Sequence, residues 1–497
     1  MHCALDWFQS RVDLFPEKKA VVDAKTNHTW TYKQLNERAE RLAQYFIEND
    51  IQKGDRIALL ASNHISYFDF IFACMKIGSV FVPLNWRLSI DELRYVIQDC
   101  SPKLIGIDPQ FQGNLTQTEI DNILIEIDNN NYIDRLQTSS TLSEVHEPDE
   151  TDALAMIYTG GTTGQPKGAV LSHRSILWNA MNTIISWNLT NEDITLTCLP
   201  MFHTGGLNAL SLPLMLVGGK VVISPEFEAS TAVNDLITYE CTIVLCVPTM
   251  YHMMIRTKAF QQASFPKMKV FLSGGAPCPH DIYKAFREKG IPFKEGYGLT
   301  EAGPNNFYID PADTEQKMGS VGKPMLFNDI KIITEKGGKV GGETVGELLI
   351  RGNHSFEYYW NKQEKTDQTI IDGWVHTGDL ARQDEEGYVY IVGRKKDMII
   401  TGGENVYPLE IEHWLESNDN ISEAAVLGLP DDKWGEIVVA FVVPTEKMTE
   451  TELKIYCENK LTRYKVPRKF LLLEELPKTH VGKINKVVLK EKVMEMN

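Results

Sequence analysis

Between residues 158 and 168 the chain reads Tyr158-Thr159-Gly160-Gly161-Thr162-Thr163-Gly164-Gln165-Pro166-Lys167-Gly168, directly after an apolar run, Ala153 to Ile157. Glycines let such a loop fold tightly, and its N–H and hydroxyl groups can then converge on phosphate oxygens. Lys167 adds a point charge, but the Gly-x4-Gly-Lys-Ser/Thr spacing of the P-loop is absent. A second run, Gly296-Tyr297-Gly298-Leu299-Thr300-Glu301, lacks the third glycine of a dinucleotide fingerprint. Its Thr300 offers a phosphate donor and Glu301 a hard oxygen for Mg2+, while Tyr297 offers a flat face for a base. A third, Trp374-Val375-His376-Thr377-Gly378-Asp379 with Gly393-Arg394 after it, places a carboxylate that could accept from vicinal sugar hydroxyls. On its own it reads better as a turn aspartate. The fourth, Pro477-Lys478-Thr479-His480-Val481-Gly482-Lys483, ends in a lysine that would ordinarily sit on the surface.

The elements that must position these residues alternate between helical and strand patterns. Tyr32 to Asn49 carries Leu35, Ala39, Leu42, Ala43 and Phe46 at amphipathic-helix spacing, with Thr31 where an N-cap belongs. Asp55–Leu60 reads as a buried strand, Phe68–Gly78 as a helix stopped by glycine, and Val80–Pro83 as another strand. Repetition of this kind predicts α/β layers with parallel strands. Gln112 to Asp152 is acidic and polar, with Arg135 its one Lys or Arg, and reads as a solvated, loosely packed excursion. Ile330–Ile333 and Glu347–Ile350 flank a Gly-rich turn region and predict antiparallel strands of a small β-barrel-like unit. A boundary is expected between Gly393 and Gly403. The division is a large N-terminal unit, residues 1–395, and a small, mobile α+β C-terminal unit, residues 396–497.

Composition sets the outer limits. The 497 residues allow several folding units, and 43% hydrophobic with 24% charged residues excludes a mostly disordered chain. A formal charge of −17 argues against a nucleic-acid binder. The eight cysteines are scattered, with no CxxC pair, as expected of free thiols in a reducing compartment. No signal peptide is evident at Met1-His2-Cys3. Ile194 to Gly219 lacks Asp, Glu, Lys and Arg, but Pro200, Gly205, Gly206 and Pro213 interrupt it. It reads as a buried strand, a loop and a core helix rather than a membrane span. The expected location is cytoplasmic. Lys460 to Lys492 carries ten Lys/Arg and three Asp/Glu, a basic segment on an acidic chain. It is either a solvated face or a patch for a polyanionic small molecule.

Taken together and in this order, the four runs resemble the acyl-adenylate-forming (AMP-binding) superfamily, whose members include acyl-CoA synthetases, peptide-synthetase adenylation domains and beetle luciferases. The likeness extends from Thr31-Tyr32 to Lys483 and is nearest to bacterial fatty-acyl-CoA and aryl-CoA synthetases. Further matching runs are Pro200-Met201-Phe202-His203, Gly274-Gly275-Ala276-Pro277, Gly402-Gly403-Glu404-Asn405-Val406-Tyr407-Pro408 and Trp434-Gly435-Glu436. The resemblance implies an acid–thiol ligase that uses ATP, Mg2+ and CoA. Thr159, Gly160, Gly161, Thr162, Thr163, Gly164 and Lys167 would form the phosphate loop. Gly274, Gly275, Ala276 and Tyr297 would line the adenine pocket, Thr300 would bind the α-phosphate, and Glu301 would hold Mg2+. Asp379 and Arg394 would bind ribose, Lys396 would be the hinge, and Lys483 the catalytic lysine of the first half-reaction. His203 would gate the acyl pocket, and Gly402 and Gly403 would line the pantetheine route. The family usually has Ser where this chain has Gly160, which implies a weaker hold on pyrophosphate.

The segments expected around the acyl group contain almost no Lys or Arg, and a buried lone charge is costly. An apolar fatty or aryl acid is therefore favoured, with an o-succinylbenzoate-CoA ligase kept open by the unexplained polarity of Asn305 and Asn306. An amino-acid-activating enzyme for a carrier protein lacks a locatable aspartate for the α-amine. A non-catalytic ATP-binding regulator would need neither Lys483 nor Glu301. The expected partners are the carboxylic acid, ATP and CoA, with no nucleic acid and no transmembrane segment, and with a homodimer left open.

Overall fold

Thr31 opens the first long helix, Tyr32–Glu48, through a capping box: its hydroxyl accepts from the Gln34 N–H while the Gln34 side chain accepts from the Thr31 N–H. The apolar face anticipated from spacing is buried, Leu35, Ala39, Leu42 and Ala43 among it. It packs on the helix Ser66–Ile77, which ends at Gly78 in a left-handed conformation (φ 71°). That second helix is buried on every side, so its charged residues need partners. Asp69 accepts from Arg38 at 2.7 Å and from the Tyr132 hydroxyl at 2.9 Å, and Lys76 pairs with Asp6 at 2.8 Å.

The computed structural model describes residues 6–114, 123–136, 148–161, 164–334, 338, 342, 344–478 and 484–496. Among these the strands form four sheets. One seven-stranded sheet runs in the order Phe293–Glu295, Val270–Ser273, Ile243–Cys246, Ile194–Thr197, Lys220–Ile223, Lys19–Asp23, Thr29–Thr31, parallel except at its last pair. A second carries the parallel strands Arg56–Leu60, Val80–Pro83, Leu104–Ile107 and Ile123–Glu126 beside the hairpin Ala153–Gly161/Gly164–Ser172. One hydrophobic cluster joins both sheets, taking Val21 and Val221 from the first and Ile57 and Phe81 from the second. A third sheet is antiparallel. It includes Asp329–Ile333 and Gly346–Arg351 in the anticipated pairing, Ile330 opposite Ile350, and then Trp374–Gln383 and Val389–Arg394. The chain leaves it at Arg394 and enters a five-stranded sheet at Ile399, whose core (Ile399, Ile411, Val426, Val438, Leu453 and others) is its own.

Ile194 to Gly219 is a strand, a turn of helix (Thr204–Leu207) and a core helix (Ser211–Val217). Among the described residues no helix is long and apolar enough to cross a membrane. The expectation for residues 112–152 is corrected where the structure describes them. Ile123–Glu126 adds a parallel strand to Leu104–Ile107, and Tyr132 and Ile133 are buried. Local polarity concealed this, because a four-residue strand and two anchors suffice to dock the segment. Seven cysteines are free and buried, and Cys3 lies outside the described residues.

Candidate active site

The Gly- and Thr-rich run 158–168 lies at the end of a hairpin. Thr159 is registered against Lys167, and Gly161 against Gly164; Thr162 and Thr163 lie outside the described residues. The Thr159 hydroxyl donates to Glu301 Oε1 at 3.2 Å. That oxygen also accepts from the Tyr359 hydroxyl at 2.6 Å. The Lys167 ammonium stands 4.2 Å from the centroid of the Tyr359 ring. Burial depresses the Lys167 pKa, and the Glu301 carboxylate opposes that shift. The Tyr359 hydroxyl is pushed up by burial and then by the Glu301 charge, so it remains a donor. Among the described residues an added Cβ at Gly160 would meet no atom within 4 Å, and its φ is not in the left-handed region.

Glu301 lies on a short 3-10 turn, Thr300–Ala302, and its carbonyl accepts from the Phe356 N–H at 2.9 Å. The segment before it approaches its own return so closely that a Cβ on Gly298 would sit 2.0 Å from the Pro304 carbonyl oxygen. At the other end of the turn, the Tyr297 hydroxyl donates to Asp379 Oδ2 at 2.6 Å. Burial and then the Asp379 charge raise the Tyr297 pKa. Arg394 Nε reaches Asp379 Oδ1 at 3.1 Å from the facing strand, where the two residues are registered partners. The six-residue run Gly296–Glu301 thus carries the Asp379–Arg394 pair at one end and the Thr159–Lys167–Tyr359 cluster at the other.

Gly274, Gly275 and Ala276 follow the strand Val270–Ser273. Its parallel neighbour Phe293–Glu295 leads into Gly296, whose N–H donates to the Ser273 carbonyl at 2.8 Å. Both lie beyond carboxyl ends of parallel strands, where crevices form in α/β sheets. Gly275 has φ +82°, which favours glycine there. His203 caps the turn Thr204–Leu207, its ring 4.4 Å from that of Phe202. Gly206, in that turn, approaches Pro200 so closely that a Cβ would lie 2.2 Å from its carbonyl oxygen. Lys396 is exposed in the turn Lys395–Asp397, beside a Lys395–Glu347 ion pair at 3.0 Å. Gly402 and Gly403 have φ of +60° and +86° and join Ile399–Thr401 to Glu404–Val406, with the Gly402 N–H on the Trp434 carbonyl. Lys483 lies outside the described residues.

Two readings of polar residues change. Asn305 donates to Thr183 Oγ1 and the Ala209 carbonyl, and Asn306 donates to the Gly303 carbonyl while its Oδ1 meets His354 Nε2 at 3.0 Å. They brace the Gly298–Pro304 loop. Of the basic segment, Lys465 pairs with Glu410 and Lys486 with Glu412, both at 2.7 Å, and Lys478 with Glu423, so part of its charge is neutralised within the same unit. Tyr359 was not anticipated. The aromatic run Tyr358-Tyr359-Trp360 is a signal of packing and gives no indication of a carboxylate partner.

A chain with this hairpin, this acidic turn and this aspartate–arginine pair belongs to the AMP-binding enzyme family: that family's description matches residues 8–360, and the AMP-binding enzyme C-terminal domain matches residues 410–483. It is an acid–thiol ligase. It is 34% identical over 487 residues to a feruloyl-CoA synthase of an Amycolatopsis species (97% of each chain) and 34% identical over 494 residues to a long-chain-fatty-acid–CoA ligase of Mycobacterium tuberculosis (97% of each). Its fold is similar to that of the o-succinylbenzoate coenzyme A synthetase of Bacillus subtilis solved with ATP and magnesium ion, with TM-score 0.86, 29% identity and coverage of 98% of this chain and 99% of that one.

Proposed function

We propose that this ligase activates a carboxylic acid with a neutral, largely apolar body as an acyl adenylate and then passes the acyl group to CoA. The observation that carries the reading is the pair of clusters on one loop, Thr159–Glu301–Tyr359–Lys167 and Tyr297–Asp379–Arg394. A carboxylate is a poor acylating agent until its oxygen is bonded to phosphorus. In the first half-reaction a carboxylate oxygen bonds to the α-phosphorus of ATP and the bond to pyrophosphate breaks. Asp379 and Arg394 hold the ribose, the hairpin and Lys167 hold the outer phosphates, Thr300 binds the α-phosphate, and Lys483 serves as the catalytic lysine of this step. In the second, the CoA sulfur bonds to the acyl carbon and AMP departs.

Among the described residues no three His, Cys, Asp or Glu side chains cluster as a metal site. Glu301 alone fits a Mg2+ that arrives with ATP, since this ion keeps its waters and takes one or two carboxylates plus phosphate oxygens. When bound there, it neutralises charge building on the phosphates. The chain's own part is to fix the Glu301 carboxylate, through Tyr359 and Thr159.

The acid's character is supported by the runs Phe202–Leu207, Val247–Met250, Gly274–Pro277 and Gly298–Pro304, expected around the acyl group, which contain no Lys or Arg. A second carboxylate would find no counter-charge in them. Residues 1–395 carry the nucleotide and residues 396–497 swing about Lys396, bringing Lys483 in for the first step and clearing a path past Gly402 and Gly403 for the thiol. This is hinge alternation between two packed states. The test is ATP–pyrophosphate exchange over a panel of carboxylic acids, with and without CoA; exchange with amino acids alone would overturn the proposal. Lys483→Ala should abolish exchange yet spare thioester formation from supplied acyl-AMP.

A further inference from the structure

Behind Thr300 lies a cavity bordered by Asn179, Thr204, Asn208, Gly303 and His354 as well as Thr300 itself. It has room for about one water molecule or one hydroxyl group. Asn179 is 4% exposed and Asn208 2%. Their nitrogens are engaged, Asn179 Nδ2 on the Asn208 carbonyl at 2.7 Å and Asn208 Nδ2 on Thr204 Oγ1 at 3.1 Å. Their oxygens are not: Asn179 Oδ1 and Asn208 Oδ1 are both buried with no hydrogen-bond partner among the described residues. Asn179 Oδ1 is 3.4 Å from where a Cβ on Gly303 would stand, so it faces the Gly303 wall. A nearby candidate donor is also occupied. His354 is 2% exposed, and burial lowers its pKa to about 4, leaving one N–H, which Asn306 Oδ1 accepts.

Two adjacent buried acceptors without donors call for an occupant, since such groups are nearly always satisfied in folded proteins. The cavity shares Thr300 and Thr204 with the loop and the turn that the proposed function sets beside the acid. We infer that the preferred acid carries an uncharged hydrogen-bond donor, a hydroxyl or an aryl amine, which enters this cavity and donates to Asn179 Oδ1 and Asn208 Oδ1. The inference rests on the proposed acyl-activating role and narrows it: a plain hydrocarbon acid leaves both oxygens unpaired. Sites built to bond a substrate donor discriminate strongly against analogues that lack it, by far more than an apolar pocket rejects a missing methylene. Asn179 and Asn208 then act as specificity residues, not as participants in bond making.

The experiment is ATP–pyrophosphate exchange with matched sets of acids on one skeleton, bearing hydroxyl, amino, methyl or methoxy at the same position. The enzyme with its sequence unchanged should favour the donor-bearing member by about 10²-fold or more in kcat/KM. Asn208→Leu and Asn179→Leu should erase that preference while leaving KM for ATP unchanged. Exchange with the unsubstituted acid reports that each variant is folded. If exchange occurs but donor and methyl acids are used alike, the cavity holds only a water and the inference fails while the ligase reading stands. If no acid of any kind supports exchange, the ligase reading itself has failed.

Discussion

Replacing Tyr359 by Phe removes one oxygen atom and tests whether the Glu301 carboxylate must be held. The ring is 4% exposed and packs edge-on against Phe356 with centroids 4.8 Å apart, so Phe can keep its place. Lys167 keeps its aromatic face, 4.2 Å away. Glu301 Oε1 loses a 2.6 Å bond and retains the longer 3.2 Å bond from Thr159. A hydrogen bond to a charged group contributes about 1.5–3 kcal/mol. At about 1.4 kcal/mol per decade, that corresponds to a fall of about 10- to 10²-fold in kcat/KM for adenylation. Pyrophosphate exchange measured across a Mg2+ titration is the assay. The expected result is a lower rate and a higher Mg2+ requirement, with thioester formation from supplied acyl-AMP little changed. An unchanged rate with an unchanged Mg2+ dependence would refute the claim that Tyr359 orients Glu301, and a loss equal in both half-reactions would point to general damage.

Gly160→Ser meets no obstruction among the described residues, and its hydroxyl should improve the grip on the pyrophosphate end, read as a lower KM for ATP in the exchange assay. Gly206→Ala would drive a methyl into the Pro200 carbonyl at 2.2 Å; overpacking of this kind costs about 1–3 kcal/mol and should lower the denaturant midpoint. Glu295 is buried, accepting from the Tyr283 hydroxyl at 2.7 Å and the Cys278 N–H at 3.2 Å, and burial raises its pKa from the ordinary 4.5 to about 7. The folded state therefore holds this proton more tightly than the unfolded chain does. Stability from this group is full below pH 4.5 and is lost as pH rises through about 7. Denaturant titrations across that range should show Glu295→Gln flattening the decline; an identical pH slope in the variant would contradict the assignment.

What could be read ahead of the structure was what is local. The helix Tyr32–Glu48 follows from residue spacing and a cap within four positions, and the strand Val80–Pro83 from an apolar run beside glycine. Thr159, Glu301, Asp379 and Arg394 were legible as residue types in recognisable runs. Their mutual contacts were not, because these are made by the tertiary fold. Tyr359 reaches Glu301 across 58 residues, through a two-residue strand with no periodicity to detect. Asn305 and Asn306 looked like pocket polarity for the same reason: their partners Thr183, Ala209 and His354 are distant in sequence. The acidic segment around Ile123–Glu126 concealed a strand because four residues on a sheet margin need little apolar content.

The strand Tyr358–Tyr359 has one further consequence. It pairs antiparallel with Val170 and Ala169 at the outer side of the hairpin, where it is the terminal member of its sheet. Unpaired sheet margins invite chains to stack through their backbones, and very short terminal strands discourage it. The same dipeptide that steadies Glu301 therefore also shields the hairpin from intermolecular pairing, so damage to that segment should cost solubility along with turnover.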